Sequence, residues 1–116
     1  MLTRSLSLLA KAVCGAVLMF YPAVFGQAKK AGGNAAKGKE VFEANCAVCH
    51  NADSTDKKMG PGLKGLFKSP KLANGKPVTE TNVRDVVNAG GNGMPSYADL
   101  LTDQEKNDVI AYLKTL

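Results

Sequence analysis

Cys46-Ala47-Val48-Cys49-His50 sets two thiols three residues apart and an imidazole directly after the second. On one helical turn the two sulfurs project from neighbouring positions and can reach the two vinyl groups of a porphyrin, while the adjoining His50 turns a ring nitrogen onto the iron. The spacing predicts covalent attachment of one haem c through Cys46 and Cys49, with His50 as an axial iron ligand. With three Cys and one His in 116 residues, such a match arises by chance at about 0.0006 per chain. A dithiol redox pair belongs in an alternating strand and helix pattern, and a structural zinc needs a fourth soft ligand. No strand pattern competes here, His50 is the only histidine, and the one remaining cysteine is Cys14.

Toward the N-terminus, residues 1–28 read as an export signal: Arg4 and Lys11 form a basic leader, and an apolar run from Ala12 to Phe25 is broken only by Gly15 and Pro22. At 14 residues the run falls short of the roughly 20 that a membrane span requires. Small residues offer cleavage after Gly26 or Ala28; the same residues also allow an uncleaved anchor. Cys14 has Val13 before it rather than the small residue of a lipoprotein site, and it leaves with the signal. The expected location is the periplasm or another exported compartment, where thiols are joined to haem and where an unpaired CxxC would otherwise oxidise. The mature chain, roughly 88 residues (116 minus 28), has no expected membrane span and buries too little apolar surface to be secure alone. A covalently held haem supplies the missing core, and it accounts for the long aperiodic stretch between Asn51 and Val78.

Residues 29–34 read as a flexible, glycine-containing lead-in, and residues 35–116 as one all-α domain. A helix is expected from Ala35 to Ala47, with Gly38, Val41, Phe42, Asn45, Cys46 and Cys49 along one face. Gly38 costs a helix about 1 kcal/mol relative to Ala, which is sensible where a second helix crosses closely. A further helix over Thr81 to Ala89 carries Val83, Val86 and Val87 and stops at Gly90-Gly91. Thr102-Asp103-Gln104-Glu105 is a capping box, and it opens a helix with Val109, Tyr112, Leu113 and Leu116 as its apolar stripe.

In this order the parts resemble the small bacterial class I c-type cytochromes over essentially all of residues 35–116. The resemblance rests on Gly38-Lys39-Glu40-Val41-Phe42 running into Cys46 to His50, then Gly60-Pro61-Gly62-Leu63-Lys64-Gly65, Gly93-Met94-Pro95 and Ile110-Ala111-Tyr112-Leu113. It implies a cytochrome c fold of three to five helices wrapped around one covalent haem. It also implies contact of Gly38 and Phe42 with Val109 and Tyr112 of the last helix, and a cofactor-binding loop containing Pro61 and Leu63. In that loop the Pro61 carbonyl accepts the N–H of His50 and strengthens it as a ligand.

One histidine forbids a bis-histidine site within the chain, so the sixth ligand is expected to be a methionine. Met1 and Met19 leave with the signal, and Met94 and Met59 remain. Met94 is favoured, because the permissive Gly90-Gly91-Asn92-Gly93 loop precedes it and Pro95 restricts it from behind. Met59 precedes the Gly-Pro segment on the histidine side, although chain length alone lets it reach the other face. With both axial positions filled, the iron changes charge and little else. The expectation is therefore a periplasmic single-electron carrier and not an enzyme; the alternative is a cytochrome subunit passing electrons into a periplasmic dehydrogenase or oxidase complex. A haem gas sensor would follow if Met94 were detached.

The formal charge of +5 falls to +3 in the mature chain, with 13 Lys and Arg against 10 Asp and Glu. Lys57, Lys58, Lys64, Lys68, Lys71 and Lys76 occupy residues 57–78 without an acid, whereas residues 80–116 carry a local −3. Such asymmetry could orient the molecule toward redox partner proteins with acidic docking surfaces, or the lysines could merely solvate a loop. The chain is expected as a monomer or in transient complexes. Nucleic acid is excluded as a partner by export and by the lack of interleaved aromatics.

Overall fold

The computed structural model describes residues 32–116; the expected signal and residues 29–31 of the lead-in lie outside them. Three α-helices form: α1 (Ala35–Asn45), α2 (Glu80–Ala89) and α3 (Asp103–Leu113), with one 3-10 turn at Leu66–Lys68. Among the described residues there is no strand, only the isolated bridges Lys71 to Pro77 and Gly91 to Met94. Each helix starts at a side chain able to accept from its orphan N–H groups. Asn34 accepts from the Lys37 N–H, Thr79 from Asn82, and Thr102 from Glu105, whose carboxylate returns to the Thr102 N–H to complete the box.

α1 ends at Asn45, two residues before the expected Ala47, because the Ala47 N–H reaches back five residues to the Phe42 carbonyl and the Cys49 N–H only three to the Cys46 carbonyl, both off the helical four-residue pairing. The α1/α3 crossing is as close as the glycine implies. A Cβ on Gly38 would lie 1.8 Å from the Asp108 carbonyl oxygen and 2.9 Å from Tyr112 Cβ. Beside this contact the Phe42 and Tyr112 rings meet at 5.4 Å between centroids.

Asn34, read from sequence as the end of a flexible lead-in, is engaged instead. The Asn34 N–H donates to Asp108 Oδ1 at 2.7 Å, and the same oxygen accepts from Gln104 Nε2 at 2.8 Å. These bonds allow a carboxylate to be buried. Lys106 is also buried, its Nζ donating to the Ala98 carbonyl at 2.8 Å. Two of the charges within the local −3 of residues 80–116 are therefore buried and structural.

The apolar core is in two parts. Phe42, Val83, Val109, Ile110 and Leu113 form the larger, against which Leu63, Leu66, Phe67, Leu72 and Val78 of the long loop pack. Val87, Tyr97 and Leu101 form the smaller, with Met94 and Val41 against it.

Candidate haem site

A cleft separates the two core clusters, lined by Phe42, Val109 and Leu113 from one and Val87, Tyr97 and Leu101 from the other. Cys46, His50, Leu63 and Met94 complete its walls. The lining is almost wholly apolar in character, and the space lies where a single core would otherwise be continuous. A flat, largely apolar cofactor placed there unites the two clusters, so the residues present fit a haem.

His50 is held from two sides. Its Nδ1 is 2.7 Å from the Pro61 carbonyl oxygen; a carbonyl can only accept, so Nδ1 carries the proton and the Nε2 lone pair is left for a metal. Gly60 lies against the ring, where a Cβ would be 2.4 Å from Cε1. The loop that supplies both residues is pinned by the Gly60 N–H to the Cys49 carbonyl at 2.8 Å and the Leu63 N–H to the Asn51 carbonyl at 2.7 Å. Lys58 Nζ donates to the Ala47 carbonyl at 3.1 Å and braces the segment between the cysteines.

Burial, followed by the nearby Cys49, pushes the Cys46 thiol up to about 11. Such a group stays protonated at neutral pH and makes a poor thiolate nucleophile or metal ligand; a thioether, which carries no charge, suits the same environment. Among the described residues no three His, Cys, Asp or Glu side chains converge on a bare metal ion.

The fold brings four of the six sequence-derived site residues, Cys46, His50, Leu63 and Met94, onto one cleft. Cys49 is half-buried beside it, and Pro61 acts on it only through His50. Met59 is 71% exposed and outside the lining. Met94 sits at the close of a tight turn. Gly91 and Met94 exchange backbone hydrogen bonds of 2.8 and 3.0 Å, with Asn92 at φ 53° and Gly93 at φ 88° between them, the left-handed pair that an Asn-Gly turn favours.

Tyr97 and Leu101 were not anticipated as lining residues. Their spacing of four, between Met94-Pro95 and the capping box, was the available signal. Burial raises the Tyr97 phenol above its ordinary value, and Cys46 and Cys49 add to this.

Residues 33–113 match the family described as cytochrome c oxidase, cbb3-type, subunit III. The chain is 38% identical over 80 residues to cytochrome c6 of Leptolyngbya boryana, covering 69% of this chain and 89% of that protein. It is 33% identical over 81 residues to the cytochrome bc1 complex cytochrome c subunit of Corynebacterium diphtheriae, covering 69% of this chain and 26% of the relative. The solved structure of cytochrome c6 from the diatom Phaeodactylum tricornutum superposes with a TM-score of 0.58 at 28% identity, over 72% of this chain and 93% of that one.

Proposed function

Because the chain belongs to the cytochrome c family, represented by the cbb3-type oxidase subunit III domain and the cytochromes c6, we propose that it works in the periplasm with His50 and Met94 as the two axial ligands of its haem iron. It is a monohaem c-type cytochrome that carries electrons, with one haem c bound covalently. When bound, the haem supplies a one-electron ferric/ferrous couple. Cys46 and Cys49 anchor it by thioether bonds, and Pro61 fixes the tautomer and orientation of His50. The Met94 thioether, a soft ligand, favours the ferrous state. The apolar walls exclude water and disfavour the extra positive charge of the ferric state. Both effects raise the potential.

The observation that carries this reading is that Met94 lines the same cleft as His50, whereas Met59 is exposed away from it. Were His50 and Met94 both to hold the iron, a substrate would have to displace one of them, so any catalysis would belong to a partner. Lys57, Lys58, Lys64, Lys68, Lys71 and Lys76 are all exposed, which supports docking to acidic surfaces of redox partners. Among the described residues no helix is long and apolar enough to cross a membrane.

The test is a pair of variants of the ferric holoprotein. Met94→Ala removes the weak near-infrared sulfur-to-iron absorption, lowers the potential and opens the iron to CO or cyanide; Met59→Leu does none of these. Loss of the band in Met59→Leu with retention in Met94→Ala overturns the ligand assignment, and prompt CO binding by the ferrous wild type overturns the His/Met carrier reading. The similarity to subunits of the bc1 complex and of a quinone alcohol dehydrogenase of Gluconobacter oxydans favours a second reading, passage of electrons into a periplasmic complex. Co-purification with a larger redox protein distinguishes it.

A further inference from the structure

The strap that follows Met94 is tied down at several points. Ser96 Oγ donates to the Asn88 carbonyl at 2.5 Å and Lys106 Nζ to the Ala98 carbonyl at 2.8 Å, which join the strap to α2 and α3. Tyr97 reaches further. Its N–H donates to the Val87 carbonyl at 2.9 Å, and its hydroxyl donates to the Asn45 carbonyl at 2.8 Å. Asn45 is the last residue of α1 and the immediate neighbour of Cys46.

That carbonyl needs a donor from outside the helix. In a continuing helix the Cys49 N–H would reach it, but this group bonds to the Cys46 carbonyl at 3.1 Å instead. The Tyr97 hydroxyl satisfies the orphan, and its ring, 9% exposed, lines the cleft beside Cys46, His50 and Met94.

We infer that Tyr97 is a positioning residue for the sixth ligand: its hydroxyl clamps the strap carrying Met94 to the end of the helix that leads into Cys46 and His50. The inference rests on Met94 being the ligand. Two chain segments separated by 52 residues are thereby held at a fixed distance across the cleft. The Tyr97 side chain does not itself bind iron; it restricts how far the strap can swing away. An added ligand such as imidazole occupies the iron only in the fraction of molecules whose methionine has left, so its apparent affinity reports that fraction. One hydrogen bond of ordinary net strength changes such a fraction roughly three- to tenfold.

The experiment is an imidazole titration of the ferric holoprotein, read with the near-infrared sulfur-to-iron band, for wild type, Tyr97→Phe and Tyr112→Phe. Tyr97→Phe keeps the ring and both thioethers and is expected to bind imidazole about three- to tenfold more tightly, with the band lost at correspondingly lower imidazole. Tyr112→Phe removes the hydroxyl of an α3 ring that packs against Phe42 and does not line the cleft, and is expected to match wild type. Wild-type imidazole affinity in Tyr97→Phe overturns the inference, whether or not the melting temperature falls, since a purely structural role moves only the latter. An equal gain in both variants also overturns it. Absence of the band in the wild-type protein overturns the Met94 assignment and the inference with it, so the two failures are distinct.

Discussion

Replacing Gly38 by Ala sets two physical effects against each other at one atom. Helix propensity favours Ala by roughly 1 kcal/mol in the interior of α1. Packing opposes it, because the new Cβ would stand 1.8 Å from the Asp108 carbonyl oxygen, 2.4 Å from its carbon and 2.9 Å from Tyr112 Cβ. To reach even a tight 3.0 Å from that oxygen, α1 and α3 must part by about 1.2 Å (3.0 minus 1.8) at the crossing. The main obstacle is backbone, so no rotamer change relieves it. A radial gap of 0.5 to 1 Å already forfeits about a quarter to a half of a dispersion contact, and the contacts at risk include those of Phe42 and Val109, each 2% exposed. Overpacking costs about 1–3 kcal/mol and occasionally more, and a backbone clash belongs at the upper end. After the propensity gain the expected net loss is about 2 kcal/mol, or roughly 8–16 °C in melting temperature for a domain of this size. Thermal unfolding of the holoprotein, followed by far-ultraviolet circular dichroism and haem absorption, measures it. A Gly38→Ala protein that melts at or above the wild type would show that the crossing is looser than described and that propensity alone governs the position.

Gly60→Ala puts a Cβ 2.4 Å from His50 Cε1; the ring must tilt away from the Pro61 carbonyl, and the ferric absorption spectrum is expected to shift toward high spin as the axial bond weakens. An unchanged spectrum would separate Gly60 from ligand orientation. The Glu105 carboxyl is held below its ordinary 4.5 by the Thr102 backbone N–H first and its hydroxyl second. Its folded value being the lower, its stabilisation is present above the unfolded pKa and is lost as pH falls through the folded one. Glu105→Gln should therefore flatten the acid side of the melting-temperature profile relative to wild type, and parallel profiles would contradict this. The Cys46→Ala, Cys49→Ala, His50→Ala triple variant, which leaves the two core clusters without the cofactor between them, is expected to show weak helicity and no cooperative melt at room temperature; cooperative unfolding near that of the holoprotein would refute the dependence.

The sequence by itself determined the features that depend on neighbours along the chain. CxxCH is a local spacing, the Thr102/Glu105 box spans four residues, and the permissive Asn92-Gly93 turn followed by Pro95 marks Met94 without reference to anything distant. Glycine 38 could also be read, since an unfavourable residue within a helix requires a compensating contact, and α3 provides it. What only the tertiary structure decided is which groups meet across the cleft. Met59 and Met94 have the same chemistry and sufficient chain to reach, and their difference in burial is set by how the loop after Cys49 folds back on His50. Nothing local marks Asp108 and Lys106 as buried, because their partners, Asn34 and Ala98, lie in segments without regular structure. Tyr97 carries no local mark of its role: its hydroxyl bonds a carbonyl 52 residues away, one left free because the chain turns out of α1 just before Cys46. Hydrogen bonds of that kind depend on where two helix ends and a strap come together, and no periodicity or motif along the chain encodes such a meeting.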